Sequence, residues 1–473
     1  MHLTDYLERN ANRLGSKPAV IFEDQQLGWA QLWTKVLAAS SELSAALSPT
    51  QQDVVAILLP NSPDFIISYL AIVHAGHIAM PLDPAYKSLE LDAILDQIAT
   101  KFVVTNNEYR NKISAAAKKL KLVEDLAKTP ANRPRLLRFD VDKQIASMTF
   151  TSGTTGQPKA VPNTHANHIW NIKACSQVWE WTEKDSLLIA VPLSHMLGIV
   201  MGLSGALYHG NTMYLQRWFD VREVMELLSS GKISFFSHAA SAYTKIINQD
   251  NQKRDLSGVR LCVSGAAPLP PAIWHEFKKR YGIEITETYG TTETGRIAAN
   301  TLGAKVLGSP GKVLPEVNLK LSKDGQVQIK SPGVFPGYYQ NPAATKASLT
   351  PDGYWRTGDL AELKDGYVFL KGRQQERIRR YGYTISPRDV EWALHKLNGI
   401  DDIYVMGRQE PNDPNDELIY FVVGNLSEQR IRDFCKANLL FAWRPSRIIK
   451  LNQIPRTRSG KASMSALKDI LDK

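Results

Sequence analysis

Along residues 1–140 the apolar positions switch repeatedly between helical spacing and short unbroken runs. Residues up to 14 and residues 31–47 carry apolar side chains three and four apart, among them Trp33, Val36, Leu37 and Leu43, and predict amphipathic helices. Residues 19–22 and 53–60 are near-continuous apolar runs, and the second is what a strand buried on both faces requires. Residues 63–75 then predict a helix and 77–81 a further strand. Strand, helix and strand in succession define a βαβ unit and hence a parallel sheet.

The pattern continues with strands predicted at 145–150, 186–192, 211–215, 233–236, 259–264 and 283–288, and helices at 199–209, 221–229, 241–248 and 271–281. The segment 187–207 is almost uncharged, but Pro192, Ser194, His195 and its glycines interrupt it, and its length is marginal for a bilayer span. It predicts a buried strand, a turn and a buried helix, not a membrane crossing. From about residue 300 short strands alternate with turns ending at Gly325, Gly333, Gly353 and Gly366, which predicts an antiparallel meander or small barrel. A charged stretch at 373–377 precedes a fresh helix-and-strand pattern. The fold class predicted is α/β, with a large N-terminal domain of helix-covered sheets and a small β-rich subdomain (residues 1–373), a hinge (374–376) and a small α+β C-terminal domain (377–473).

Composition narrows the function classes. A chain of 473 residues exceeds one typical domain, and 43% hydrophobic with 22% charged residues suits a soluble globular enzyme better than a disordered chain. Its 57 Lys+Arg against 47 Asp+Glu make the surface basic, yet no interleaved aromatic pattern or zinc spacing marks nucleic-acid binding. Polyanionic small molecules or an acidic protein partner fit that charge. Cys175, Cys262 and Cys435 are far apart and form no CxxC, and the N-terminus lacks the basic-then-apolar layout of a signal peptide. A reducing, cytoplasmic location follows as the expectation.

The chemistry concentrates where strands end. Thr151, Ser152, Gly153, Thr154, Thr155 and Gly156, followed by Lys159, offer backbone amides, hydroxyls and one compact positive charge, the means of holding a polyphosphate. Such clusters are as often plain solvated loops. The glycine spacing and Ala160 after the lysine exclude a Walker A loop. Gly265, Ala266 and Ala267 leave a strand as a turn of small residues against which a flat ring can lie. Tyr289, Gly290, Thr291, Thr292 and Glu293 offer an aromatic face, hydroxyls and a carboxylate. Asp359 follows a turn, where two acceptor oxygens suit a ribose diol, and Lys461 follows a glycine near the chain end. Taken singly, Glu293 as a surface carboxylate, Asp359 as a turn cap and Lys461 as a solvated charge are the plainer readings.

Together and in this order the segments resemble the adenylate-forming superfamily of acyl-CoA synthetases, peptide-synthetase adenylation domains and firefly-type luciferases, over essentially the whole chain. The resemblance implies that ATP and a carboxylic acid form an acyl-adenylate with release of pyrophosphate, and that the acyl group then passes to a thiol. It implies that residues 151–159 hold the pyrophosphate, Thr292 touches the α-phosphate and Glu293 binds Mg²⁺. Tyr289 with residues 265–267 and 290–291 would take the adenine, and Asp359 with Arg373 the ribose. Lys461 would bridge carboxylate and phosphate, and a mobile C-terminal domain would then exchange it for the segment around Gly382. The chain departs from the family pattern at Ala160, Gln375, Arg379 and Asp389.

For the acid, the resemblance points to the histidine segment: His195 is followed by Met196, where amino-acid-activating relatives carry an aspartate. A fatty or aromatic acid is therefore expected, in a pocket drawing on His195, Met196, residues 237–240, Gly265 with residues 266–267, and the residues after Glu293. His238 and Arg296 are candidates for a second polar group on the acid, beside plainer readings as a core histidine and a surface arginine. CoA is the expected thiol acceptor. The alternatives are the phosphopantetheine of an acidic carrier protein and, from another class, a nucleotide-binding regulator without catalysis. The sequence leaves monomer and homodimer open.

Overall fold

The computed structural model describes the chain except residues 101, 114–119, 127–133, 135, 152–158, 382, 396, 410–414, 458–459 and 473. Two sheets organise the larger part. One has six strands in the order Leu120–Leu122, Phe102–Thr105, Val54–Leu58, Ile78–Pro81, Ile145–Thr151, Lys159–Thr164, all parallel except the final antiparallel pair. Every residue of Val54–Leu58 is buried, as its unbroken apolar run requires. The helix Pro63–Ala75 is buried on nearly all sides; Ser62 caps it by accepting from the Phe65 amide, and Pro63 occupies a first-turn position where no amide hydrogen is needed.

The second sheet has thirteen strands, beginning at one edge with Gln25–Gly28, which pairs antiparallel with Pro18–Phe22. Its parallel half runs Pro18–Phe22, Thr212–Leu215, Ser186–Ile189, Phe235–Ala239, Leu261–Gly265, Thr286–Thr291. From there it turns antiparallel through Gly295–Ala299, Lys312–Val313, Tyr367–Arg373, Trp355–Lys364, Gln326–Lys330 and Asn318–Leu321. The expected meander therefore forms, but as an extension of the large sheet and not as a closed barrel.

Other differences have local causes. Residues 199–209 form a π-helical stretch, Leu197–Ser204, before the α-helix Gly205–His209; glycines and β-branched residues weaken the α-helical preference there. The strands expected at 233–236 and 283–288 lie later, at Phe235–Ala239 and Thr286–Thr291. Their ladders are set by pairing with Leu261–Gly265 and Gly295–Ala299 and so take in Ser237, His238 and Ala239 in the first and Tyr289, Gly290 and Thr291 in the second, beyond where the apolar runs end. The strand Lys159–Thr164 and the helix His165–Trp179 fill a stretch that the periodicity left unassigned.

Beyond the 3₁₀ turn Gln374–Glu376 the chain builds a smaller unit on the sheet Ile400–Arg408, Glu417–Gly424, Arg447–Lys450. Leu418, Tyr420 and Val422 pack with Val390 and Ile431 on one face, and Ile419 and Phe421 with Leu467 on the other, the two-residue period of a strand covered on both sides. The helix Pro387–Leu394 seats this unit on the larger one. Trp392 fills the space over Gly308, Ser386 donates to the Lys371 carbonyl, and Arg388 faces Glu287. Cys175, Cys262 and Cys435 are free and buried, and among the described residues no helix is long and apolar enough to cross a membrane.

Candidate active site

Thr151 ends one strand and Lys159 opens the next, and the two are cross-strand partners on the edge of the six-stranded sheet. The ends of the hydroxyl-rich connection are thus held side by side; Ser152, Gly153, Thr154, Thr155 and Gly156 themselves lie outside the described residues. Lys159 Nζ stands 4.9 Å over the Tyr338 ring, and Tyr338 Oη donates to Glu293 Oε1 at 3.1 Å. Burial, followed by the Glu293 carboxylate, holds the Tyr338 phenol above its ordinary pKa, so it stays a donor. Tyr338 was not singled out by the sequence, where it reads as part of a Pro-Gly turn.

The Thr291–Thr294 hydroxyl contact of 3.0 Å and the bond from the Phe335 amide to the Glu293 carbonyl (2.8 Å) fix the turn that presents Thr292 and Glu293. On the strand before it, buried Tyr289 donates to Asp359 Oδ2 at 2.7 Å. Arg373 Nε reaches Asp359 Oδ1 at 3.1 Å from the neighbouring strand, where Asp359 and Arg373 are partners. Gly290 is paired with Arg296 across the hairpin. Ala266 turns through φ +64°, a left-handed conformation that a residue with a Cβ seldom adopts, and the Ala267 amide closes back on the Gly265 carbonyl at 2.8 Å.

His195 is positioned by Asn61. The Asn61 amide donates to the Val191 and Gln216 carbonyls at 3.0 Å each and accepts from the Leu193 amide at 2.8 Å, fixing the turn into the π-helical stretch. His195 Nε2 then stands 3.9 Å from Asp83 Oδ2, and Met196 Sδ lies 3.8 Å from Asn163 Nδ2. An apolar cavity beside this segment is lined by Ile189, Val191, Leu197, Met201, Phe235 and Ser237. His238 is not among its lining residues: its ring packs on Phe219 (4.7 Å), its Nδ1 accepts from the Ala239 amide at 2.8 Å, and burial pushes its pKa down to about 4. It is a neutral core histidine.

Lys461 completes the arrangement from the smaller unit. Gly460, at φ +86°, lies so close to the larger unit that a Cβ on it would stand 2.5 Å from Ser241 Oγ and 2.6 Å from Ala239 Cβ. That contact delivers the next residue into the cleft, where Lys461 keeps accessible surface within the electrostatic reach of Arg373, Glu293, Asp359 and Glu376. The surrounding protein and Arg373 lower its pKa, and the three carboxylates oppose that shift. The structure thus brings Lys461, Glu293, Asp359, Arg373 and Tyr289 together; Gly382 lies outside the described residues.

Lys461 of the smaller unit is thus set among the Glu293 and Asp359 carboxylates and the Arg373 guanidinium of the larger one, and the chain is an adenylate-forming enzyme. The chain belongs to the AMP-binding enzyme family, which matches residues 7–339, with the AMP-binding enzyme C-terminal domain at 389–461. It is similar to the 2-succinylbenzoate–CoA ligase of Listeria monocytogenes serotype 4b (29% identity, covering 99% of each chain). It is also similar to the mitochondrial malonate–CoA ligase ACSF3 of Homo sapiens (26% identity, covering 96% of this chain and 90% of the relative). Its fold matches the o-succinylbenzoate CoA synthetase MenE of Bacillus subtilis solved with its acyl-adenylate intermediate, with TM-score 0.88, 26% identity and 98% coverage of each chain.

Proposed function

We propose that this chain is an AMP-forming carboxylate–CoA ligase. A carboxylate oxygen of the acid attacks the α-phosphorus of ATP, the bond to the β-phosphate oxygen breaks, and pyrophosphate leaves. The CoA sulfur then attacks the acyl carbon of the adenylate, and AMP departs with the electron pair of the acyl–oxygen bond. The observation that carries the reading is Lys461 among Glu293, Asp359 and Arg373, reached across the seam between the two units.

The first step brings one anion onto another, and the ammonium of Lys461 offsets the charge gathering at the α-phosphate. No general base is needed, because the acid is already ionised at neutral pH. Thr292 serves the α-phosphate, Thr151 and Lys159 with the loop between them serve the departing pyrophosphate, and the Asp359–Arg373 pair serves the ribose diol, with Tyr289 fixing Asp359. Gly265, Ala266, Ala267, Gly290 and Thr291 line the adenine. Glu293 is a single carboxylate without a cluster of further ligands among the described residues, a donor set that suits magnesium shared with substrate phosphates; Glu293 would hold the ion, which would supply neutralisation of phosphate charge. His195 and Met196, which precede the cavity-lining Leu197, face the acid.

Both named relatives act on a carboxylic acid and CoA by their names, which supports CoA as the acceptor here. A panel of carboxylic acids scored for pyrophosphate release and for thioester, with and without CoA, tests the reading. Acid-dependent AMP and an acyl-CoA product are expected. Pyrophosphate exchange without any acyl-CoA would transfer the assignment to a carrier-protein phosphopantetheine, and no acid-dependent AMP at all would leave only a nucleotide-binding role.

A further inference from the structure

Arg296 is not the surface arginine that its sequence context suggests. It is the second residue of the strand Gly295–Ala299, which hydrogen-bonds back onto Tyr289 and Gly290, and the Asn171 side chain fixes its backbone by accepting from its amide at 2.7 Å. The guanidinium lies over the end of the strand Leu261–Gly265: a Cβ on Gly265 would stand 3.4 Å from Arg296 Nη1, 3.4 Å from Thr288 Cγ2 and 4.0 Å from Leu197 Cδ1. Leu197 also lines the apolar cavity. Among the described residues no carboxylate forms an ion pair with Arg296, and the titratable group that acts on it is the buried Cys175 thiol, which burial pushes up to about 12 and so keeps neutral. Desolvation lowers its pKa, although an arginine stays charged throughout the working range. It is enclosed by protein but keeps accessible surface, as a side chain on the wall of a cleft does.

The sheet register relates this charge to Lys461. Gly265 is the partner of Ala239 in the parallel ladder, so the two residues direct their Cβ positions to the same face. Over Ala239 lies Gly460, next to Lys461; over Gly265 lies the Arg296 guanidinium. The lysine loop and the arginine therefore occupy one face of the sheet about one strand spacing apart, roughly 5 Å. An enclosed guanidinium without an anion is costly, and one placed there is satisfied by an anion that arrives with the substrate.

We propose that Arg296 is a specificity-determining residue that binds a second carboxylate on the acid, so that the preferred substrates are dicarboxylates activated at one end. The proposal rests on the ligase reading above and specifies its substrate class. Lys461 meets the carboxylate that becomes the adenylate, and Arg296 holds the other by a two-pronged, charge-assisted contact. Leu197, which with the Arg296 guanidinium borders the Cβ position of Gly265, offers an apolar contact to the carbon skeleton between the two carboxylates.

The test compares acids matched in carbon skeleton: a dicarboxylate, its half-methyl ester and the monoacid that ends in methyl. Acid-dependent ATP–pyrophosphate exchange is measured without CoA, for the full chain and for Arg296→Lys and Arg296→Leu. Wild type should favour the dicarboxylate over its half-ester roughly ten- to hundredfold in kcat/KM. Arg296→Leu should erase that preference by raising KM for the dicarboxylate, and Arg296→Lys, which keeps the charge without the planar fork, should restore part of it. Exchange with half-esters and monoacids as strong as with dicarboxylates in wild type would overturn the role of Arg296 and leave the ligase reading standing. Exchange with no acid in wild type would overturn the ligase reading itself. The wild-type comparison decides the matter even where a variant does not fold.

Discussion

The Lys461 ammonium works under opposing influences, since surrounding protein and Arg373 discourage its charge while Glu293, Asp359 and Glu376 sustain it. The net lowering has a sign that kinetics can read. The charged form assists adenylation, so acid-dependent pyrophosphate exchange should fall on the alkaline side at a pH below the ~10.4 of an unperturbed lysine. Lys461→Ala should depress exchange at least about a hundredfold and abolish that alkaline limb. Thioester formation from supplied acyl-adenylate should change far less, and an equal loss in both half-reactions would contradict the role given to the lysine. Lys461, Glu293 and Asp359 were legible as residues because each stands in a motif with an ordered neighbour. Tyr338 was not, because its significance is spatial: the fold sets a turn tyrosine between Lys159 and Glu293.

Among the elements, the loop that carries Lys461 depends on a residue without a side chain. Gly460 takes a left-handed φ and leaves no room for a Cβ against Ser241 and Ala239. Gly460→Ala should slow adenylation roughly 5- to 30-fold, the cost of forcing a Cβ into that conformation, and leave transfer from supplied adenylate to CoA near the wild-type rate, as single-turnover assays of each half-reaction would report. Helices and strands with strong periodicity, such as Pro63–Ala75 and Val54–Leu58, were readable directly. The ladder at Phe235–Ala239 and Thr286–Thr291 was displaced from its expectation because the site itself requires polar residues in buried strand positions, where apolarity gives no signal. The hairpin partner Lys159–Thr164 escaped for the same reason: Pro162, Asn163 and Thr164 disguise a buried strand.

At the scale of the whole molecule, two carboxylates desolvated by the surrounding protein, buried Glu287 and half-buried Glu391, make stability depend on pH. Burial pushes Glu287 up to about 7, with Arg388 of the smaller unit pulling it back, and pushes Glu391 up to about 8, where the Val405 amide donates to it at 2.8 Å. Both folded values exceed the ~4.3 of an unfolded glutamate, so the native state holds the extra protons. Their stabilising contribution is present in full below ~4.3 and is lost as pH rises through about 7 and about 8. The melting temperature should therefore decline between pH 5 and 8, and Glu391→Gln should flatten that slope; an unchanged slope would show that the carboxyl is ionised in the fold. The α/β class and the separate C-terminal unit were legible from changes of period and turn density. How the units meet was not, because Trp392 over Gly308 and Arg388 before Glu287 are pairings between distant stretches of chain. The bare backbone of Gly460 adds a consequence for opening. Because Gly460 brings only backbone to that contact, the side chains that hold the seam closed are Lys461 among its carboxylates, Arg388 before Glu287 and Trp392 over Gly308.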